Sequence, residues 1–301
     1  MLFLYNRTTP KLNSYKNKNA LVFIVLLDSN SSYLMDNNNN NNSTIDRIFG
    51  TDSNNHVYIV AEMSCNHNQD INQAIQLIHE AKKAGADAIK LQTYTPDTMT
   101  IDCDNDNFKL KSGTIWDGMT LYQLYQKAYT PWEWFPRLQK EAHNLGLDIF
   151  SSPFDKTAVD FLEQYNVPVY KVASFEVNDH TLLRHIAKTR KPVILSTGAC
   201  DLTEVSEAIK VLRENGTPHD KICILKCTSA YPAPIEDANL LTIPNIRDTF
   251  GVTVGLSDHT TGIEVPVASV VLGAKFIEKH FTLNKNSGSP DDKFSLEPEE
   301  F

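Results

Sequence analysis

The chain has 301 residues, 41% of them hydrophobic and 22% charged, which suits one large α/β domain or two smaller ones with an ordinary core. Its formal net charge of −9 offers no basic face to offset phosphate repulsion, which excludes a general nucleic-acid partner. A local lysine-lined anion pocket remains compatible with that balance.

Residues 1–55 are rich in Asn, Ser and Lys, with an unbroken asparagine tract from Asn37 to Asn42. Such a segment buries too little apolar surface to offset its ordering entropy and is expected to be disordered. Within it, Ala20 to Leu27 reads ALVFIVLL behind Arg7, Lys11, Lys16 and Lys18. That run is far shorter than the roughly 20 residues a membrane span needs. A signal-like segment is the other reading, but no small-residue cleavage site follows and Asp28 closes the run. The globular domain is expected over 56–301, with no membrane association.

From there eight short apolar runs each end in a reactive polar residue: VYIVAE, ADAIKLQ, LDIFSS, PVYKVAS, PVILSTG, CILKCTS, VTVGLSD and FIEKHF. Separated by helical stretches, they predict a parallel sheet closed as a (β/α)₈ TIM barrel. Ile71, Ala74, Ile75, Ile78 and Ala81 recur at helical spacing, and Gly85 ends that helix. Thr95 to Gly118, with Phe108, Trp116 and several Asp, is long for a connection and marks an active-site loop. The next helix, Met119 to Asn144, is expected to break at Thr130-Pro131. Asp201 with Glu204 forms a capping box, and Gly262 to Gly273 gives the seventh helix. No eighth helix is evident: Glu297-Pro298 looks like a helix start, and the sequence stops at Phe301. The outer faces of strands eight and one are then expected to be exposed.

In a (β/α)₈ barrel the strand ends build the active site, so Glu62, Lys90, Ser152, Lys171, Ser196, Ser229, His259 and His280 become a site list. His259 and His280 end consecutive strands about 4.8 Å apart and could share one divalent ion, with positions left for water and substrate. Two unrelated histidines at a barrel mouth remain an alternative on spacing alone. Asp258 and Glu278 could orient the rings. Lys90 and Lys171 inside a barrel mouth are costly unless they meet an anion, phosphate or carboxylate. Ser152, Ser174, Ser196, Ser229 and Ser257 add hydroxyls, and Gly198 adds backbone access. Glu62 is the best-placed carboxylate for proton transfer, unless it is a structural partner of a lysine; Glu176 is weaker. The five cysteines show no disulfide framework, and Cys223 and Cys227 lie too far apart on one strand to chelate together, so idle thiols in a reducing compartment are expected.

The blocks AEMSCNHNQD, GADAIKLQTYTPDTMTID, FSSPFD, YKVASFE, ILSTG, KCTSAYPAPIEDANL, GLSDHTTGI, GAKFIEKHFTL and FSLEPEEF resemble, in order, the sialic acid synthase family over roughly residues 57–301. IDCDNDNFKL, WDGMTLYQLY, TPWEW, SSPFD and FSLEPEEF most resemble its pseudaminic acid synthase branch. The resemblance implies condensation of phosphoenolpyruvate with an open-chain N-acylated amino sugar, here a 2,4-diacetamido-2,4,6-trideoxyhexose, to a nine-carbon ulosonic acid and phosphate. It implies a divalent ion, typically manganese, on His259 and His280. Lys90, Ser152, Lys171, Ser174, Ser196 and Ser257 would hold phosphoenolpyruvate; Glu62, Tyr231 and Asp291 would line the sugar, with Glu62 managing protons.

It also implies a cytoplasmic homodimer whose final helix and C-terminal antifreeze-like domain, which supplies an arginine to the partner's sugar site, are not in this sequence. The asparagine-rich tail is foreign to the family. N-acetylneuraminate synthase, a heptulosonate- or octulosonate-phosphate synthase, and a silent homologue acting only as a binding partner are the competing readings. A sugar phosphate would call for additional basic residues.

Overall fold

In the computed structural model, residues 44–50, 56–111 and 117–301 are described, and all belong to one compact unit. The asparagine tract, Ala20 to Leu27 and Trp116 lie outside them. Eight parallel strands close a barrel in sequence order: β1 (Tyr58–Glu62), β2 (Ala88–Thr93), β3 (Asp148–Pro153), β4 (Tyr170–Val172), β5 (Val193–Ser196), β6 (Ile222–Cys227), β7 (Thr253–Asp258) and β8 (Phe276–His280). All eight coincide with the predicted runs. Closure pairs Tyr58 with Phe276 and Glu62 with His280, while Glu62 also lies opposite Lys90 on β2.

The helices are α1 (Thr44–Phe49), α2 (Ile71–Lys83), α3 (Pro96–Met99), α4 (Leu121–Ala128), α5 (Phe135–Asn144), α6 (Lys156–Glu163), α7 (His180–Lys188), α8 (Leu202–Asn215), α9 (Thr242–Phe250) and α10 (Glu264–Val271). Aspartates start several of them: Asp70, Asp155, Asp179 and Asp201 each accept backbone N–H groups of the first turn, with Glu204 completing the capping box at α8. Gly85 after α2 has φ +94°, a conformation that favours glycine. The expected break at Thr130-Pro131 separates α4 from a 3₁₀ turn and α5.

Pleating divides the side chains. Outward residues such as Ile89, Leu91, Ile149, Val172, Leu195 and Ile224 pack under the helices in one large apolar cluster. Inward residues at the lower end, among them Tyr58, Val60, Phe150, Ile194, Leu225 and Phe276, fill the barrel floor. Tyr58 and Phe276 stack there at 5.7 Å.

Part of the stretch expected to be disordered helps to close this floor. Ile48 of α1 is buried among the floor residues, and Arg47 reaches Asp87 at 3.3 Å and also Asp148. Arg47 lies over the Tyr58 ring, whose hydroxyl donates to Asp148 at 2.6 Å. The expectation of disorder therefore fails over Thr44–Phe49.

After β8 the chain forms a loop, a 3₁₀ turn at Asp292–Phe294 and a bridge between Leu296 and Phe281. Glu297 then starts a single turn closed by the Phe301 N–H at 3.0 Å, and Phe301 packs edge-on against Phe281. The outer side chains of β8 are not exposed as expected: Ile277 and Lys279 are buried, the latter bonded to Asp258 and the Thr260 carbonyl.

Candidate active site

Alternation along the pleat sends Glu62, Lys90, Gln92, Ser152, Lys171, Ser196, Ser257, Glu278 and His280 to the upper, inward layer of the barrel. There they line a cleft of about 510 Å³, mouth included, together with Ser174, Tyr231 and His259 from the loops above. Of the residues that the resemblance assigns to substrate or metal, all but Asp291 are thus on its wall. Asp291 stands behind it, buried, 3.6 Å from His280 Nδ1 and bonded to Ser64.

Two lysines and two carboxylates form the centre. Lys90 Nζ is 2.6 Å from Glu62 Oε2 and 3.8 Å from Glu278 Oε2; Lys171 Nζ is 3.6 Å from Glu278 Oε1. All four are almost fully buried. Burial raises the Glu62 pKa, and the lysine beside it does not fully offset this. Burial alone would lower Lys90, but Glu278 and Glu62 outweigh it and hold its pKa above the usual lysine value. Lys171, with only the more distant Glu278, is lowered by burial. Burial would raise Glu278, but Lys171 and Lys90 together bring it below the usual carboxylate value.

Hydroxyls surround the lysines. Lys90 donates to Ser152 Oγ at 3.2 Å, Ser257 donates to Glu278 at 3.2 Å, and the Ser196 hydroxyl is buried without a hydrogen-bond partner. Such an unused donor beside two ammonium groups is what an oxyanion would employ. The Gly198 amide is engaged otherwise: it donates to Ser174 Oγ at 2.9 Å. Glycine is required at that position because a Cβ would meet Ser229 Oγ at 2.3 Å. Ser229 itself is not on the cleft wall.

On the opposite side lie the two histidines, with ring centroids 5.4 Å apart. His259 Nδ1 sits 2.9 Å from the Thr228 carbonyl, which can only accept, so Nδ1 carries a proton. Burial would lower the ring's pKa, but Cys227 and that carbonyl outweigh it and hold it above the usual histidine value, so Nε2 offers its lone pair once the ring is neutral. Burial pushes His280 well below the usual histidine pKa, and its Nδ1 has no hydrogen-bond partner. Two buried imidazoles fit a divalent ion, which would bind as His259 gives up its second proton. Among the described residues no third His, Cys, Asp or Glu joins them.

The expected orienting roles of Asp258 and Glu278 are corrected. Asp258 points out of the barrel to Lys279 and Thr260, and Glu278 faces the lysines. The Thr228 carbonyl, with the Tyr231 ring tilted at 46° and 4.2 Å away, is what orients His259.

Sequence reading passed over Gln92, which donates to Glu62 at 2.9 Å, and took Cys227 for an idle thiol, whereas it lines the cleft with its Sγ 3.8 Å from His259 Nδ1. Their signal was strand parity, since Gln92 follows Lys90 by two and Cys227 follows Leu225 by two. Phe154 and Phe175 form an apolar part of the wall. Glu176 does not line the cleft; burial raises its pKa to about 7.

A sequence profile described as the NeuB family matches residues 77–301. The pseudaminic acid synthase of Helicobacter pylori is 50% identical over 239 residues, covering 79% of this chain and 69% of that protein. The N,N'-diacetyllegionaminic acid synthase of Campylobacter jejuni is 39% identical over 80% of this chain and 72% of its own. A crystal structure of N-acetylneuraminic acid synthetase from Leptospira borgpetersenii, in complex with citrate, superposes with a TM-score of 0.73 at 32% identity, covering 82% of this chain and 80% of that one.

Proposed function

This chain belongs to the NeuB family, and from that membership we propose that its cleft condenses phosphoenolpyruvate with an open-chain N-acylated amino sugar, giving a nine-carbon ulosonic acid and phosphate. The relatives' names favour a pseudaminic acid synthase activity, with a 2,4-diacetamido-2,4,6-trideoxyhexose as acceptor. The observation that carries the reading is the buried pair Lys90 and Lys171 with the partnerless Ser196 hydroxyl, an anion site set directly beside Glu62.

The chemistry follows from those positions. Phosphate and carboxylate of phosphoenolpyruvate take Lys90, Lys171 and the hydroxyls of Ser152, Ser174, Ser196 and Ser257. Its C3 forms a bond to the sugar aldehyde carbon, whose oxygen gains a proton. Water then adds to the cationic C2 and loses one proton, and the C2–O bond to phosphate breaks as the new hydroxyl's proton passes to the departing phosphate, leaving a ketone.

Glu62 is placed to move these protons. With both lysines and both carboxylates ionised the centre is neutral, so an arriving anion draws Lys90 away from Glu62 and raises its pKa further. Substrate binding thus loads Glu62 with the proton that the aldehyde oxygen needs. Tyr231 is assigned to the sugar side, while Asp291, buried behind the wall, acts on the site through His280 Nδ1, 3.6 Å away. His259 and His280 would hold a divalent ion, manganese in this reading, whose chemistry is Lewis acidity toward a carbonyl oxygen. A homodimer in the cytoplasm completes the proposal.

Phosphate release with phosphoenolpyruvate, Mn²⁺ and each of two sugars tests it. The 2,4-diacetamido-2,4,6-trideoxyhexose should be preferred over N-acetylmannosamine. The opposite preference would move the chain to the sialic acid branch, and consumption of neither sugar would sink the assignment.

A further inference from the structure

Besides Cys227 and Tyr231 on the cleft wall, the His259 ring is aimed by groups that lie outside the cleft. Along β6, Cys227 faces the cleft while Lys226, one residue earlier, faces the helices. Lys226 is 7% exposed and forms no ion pair among the described residues. Its Nζ donates to Thr228 Oγ1 and lies 3.4 Å from the Asp237 carbonyl. Thr228 Oγ1 in turn donates to that same carbonyl at 3.2 Å. The two side chains therefore fasten the start of the loop after β6 to its far end. Between those ends the loop carries Tyr231, and it is tied once more where Ala233 N–H donates to the His259 carbonyl at 2.9 Å.

We propose that Lys226 and Thr228 are positioning residues for the reaction: they hold the Thr228 carbonyl that fixes the His259 tautomer, and they close the loop that sets Tyr231 over that ring. The surroundings make packing alone an insufficient reason for this lysine. Its neighbours outside the barrel include Ala233, Ala238, Leu256 and Val265, and a methionine or leucine would satisfy them without burying an ammonium group. The donors are what lysine adds. With Thr228 unfastened, its carbonyl is free to rotate away, and Nε2 of His259 is no longer held as the available lone pair. The consequence for metal binding rests on the reading of His259 as a ligand; the orientation of the ring does not.

The test uses full-length protein and the variants Lys226→Met, Lys226→Arg and Thr228→Val, each checked for folding by circular dichroism. Long-range ¹H–¹⁵N spectra of the metal-free protein, in buffer alkaline enough to keep imidazole neutral, report the His259 tautomer. Wild type should show the Nδ1–H form, and Lys226→Met and Thr228→Val should populate the Nε2–H form. Mn²⁺ binding, followed by loss of the free-ion EPR signal, should weaken about tenfold or more in those two variants. Lys226→Arg, which keeps its donors, should recover most of both. Phosphoenolpyruvate binding without metal should not change.

If Lys226→Met does not fold, Thr228→Val decides, since it removes the hydroxyl at nearly constant shape. An unchanged tautomer in a folded variant overturns the proposal. So does unchanged Mn²⁺ affinity where wild type binds the ion. Should wild type bind no Mn²⁺ while the variants still shift the tautomer, the positioning role stands and the metal assignment falls.

Discussion

Lys90 Nζ and Glu62 Oε2 are 2.6 Å apart in a layer with almost no exposure, and both groups are shifted toward holding their protons. An ordinary buried ion pair would instead push the carboxylate down. Here the second carboxylate, Glu278, competes for the same ammonium group, and burial of Glu62 is not repaid in full. The pair is therefore set to take up a proton when an anion arrives.

Proton uptake on phosphoenolpyruvate binding is the first expectation. Calorimetry in buffers of different ionisation enthalpy should show a net gain of protons near neutral pH. Glu62→Gln should bind phosphoenolpyruvate with that uptake abolished, and its kcat should fall by about 10²–10⁴, the usual worth of a positioned acid. Undiminished uptake in Glu62→Gln would assign the proton elsewhere.

Lys171 gives a pH dependence of known sign. Its pKa is lowered by burial, so its charged form is lost at a lower pH than for an ordinary lysine. The value of kcat/KM for phosphoenolpyruvate should decline as pH rises through that depressed pKa, while activity below it is retained. In Lys171→Arg the guanidinium stays charged, so the alkaline decline should move to higher pH even if kcat drops. An identical decline in that variant would mean that another group titrates.

How much of this was legible in the sequence depends on which contacts are local. The strands were legible because each is a short apolar run ending in a polar residue, and the barrel rule then placed Glu62, Lys90, Lys171 and His280 together. Parity along β8 also held information: Phe276, Glu278 and His280 share one face while Lys279 faces out. Asp258 and His259 were harder, because β7 ends between them and the chain turns there. The partner of His259 is a backbone carbonyl, which no side-chain pattern announces. Asp291 meets Ser64 across 227 residues, a closeness only the folded loop creates. In α1, TIDRIF offers just Ile48 and Phe49 to the floor late in a polar helix, too little periodicity to stand out from its surroundings.

Metal dependence rests on both histidines. His280→Ala should remove stimulation by divalent ions and reduce turnover to background, while circular dichroism and phosphoenolpyruvate binding stay near wild type, since Lys90 and Lys171 do not contact that ring. Chelator treatment of wild type should mimic the variant and be reversed by Mn²⁺. Metal-stimulated turnover surviving in His280→Ala would remove it from the ligand set.

The barrel floor offers a test that separates stability from chemistry. Ile48 is 2% exposed and packs with Tyr58, Val60, Phe150 and Phe276, at the end of the barrel away from the cleft. Truncating a core isoleucine to alanine costs about 2–5 kcal/mol, and a six-residue helix that can partly settle into the gap favours the low end. At about 2 kcal/mol, Ile48→Ala should lower Tm by roughly 4–8 °C for a domain of this size. Arg47 stays in place to hold Asp87 and Asp148, so α1 should remain docked in the variant. The loss falls on the folded state as a whole and not on the catalytic layer, so kcat/KM below the transition should match wild type. An unchanged Tm would show that α1 does not close the floor in solution, and a fall in kcat/KM at unchanged Tm would place it in the service of the site instead.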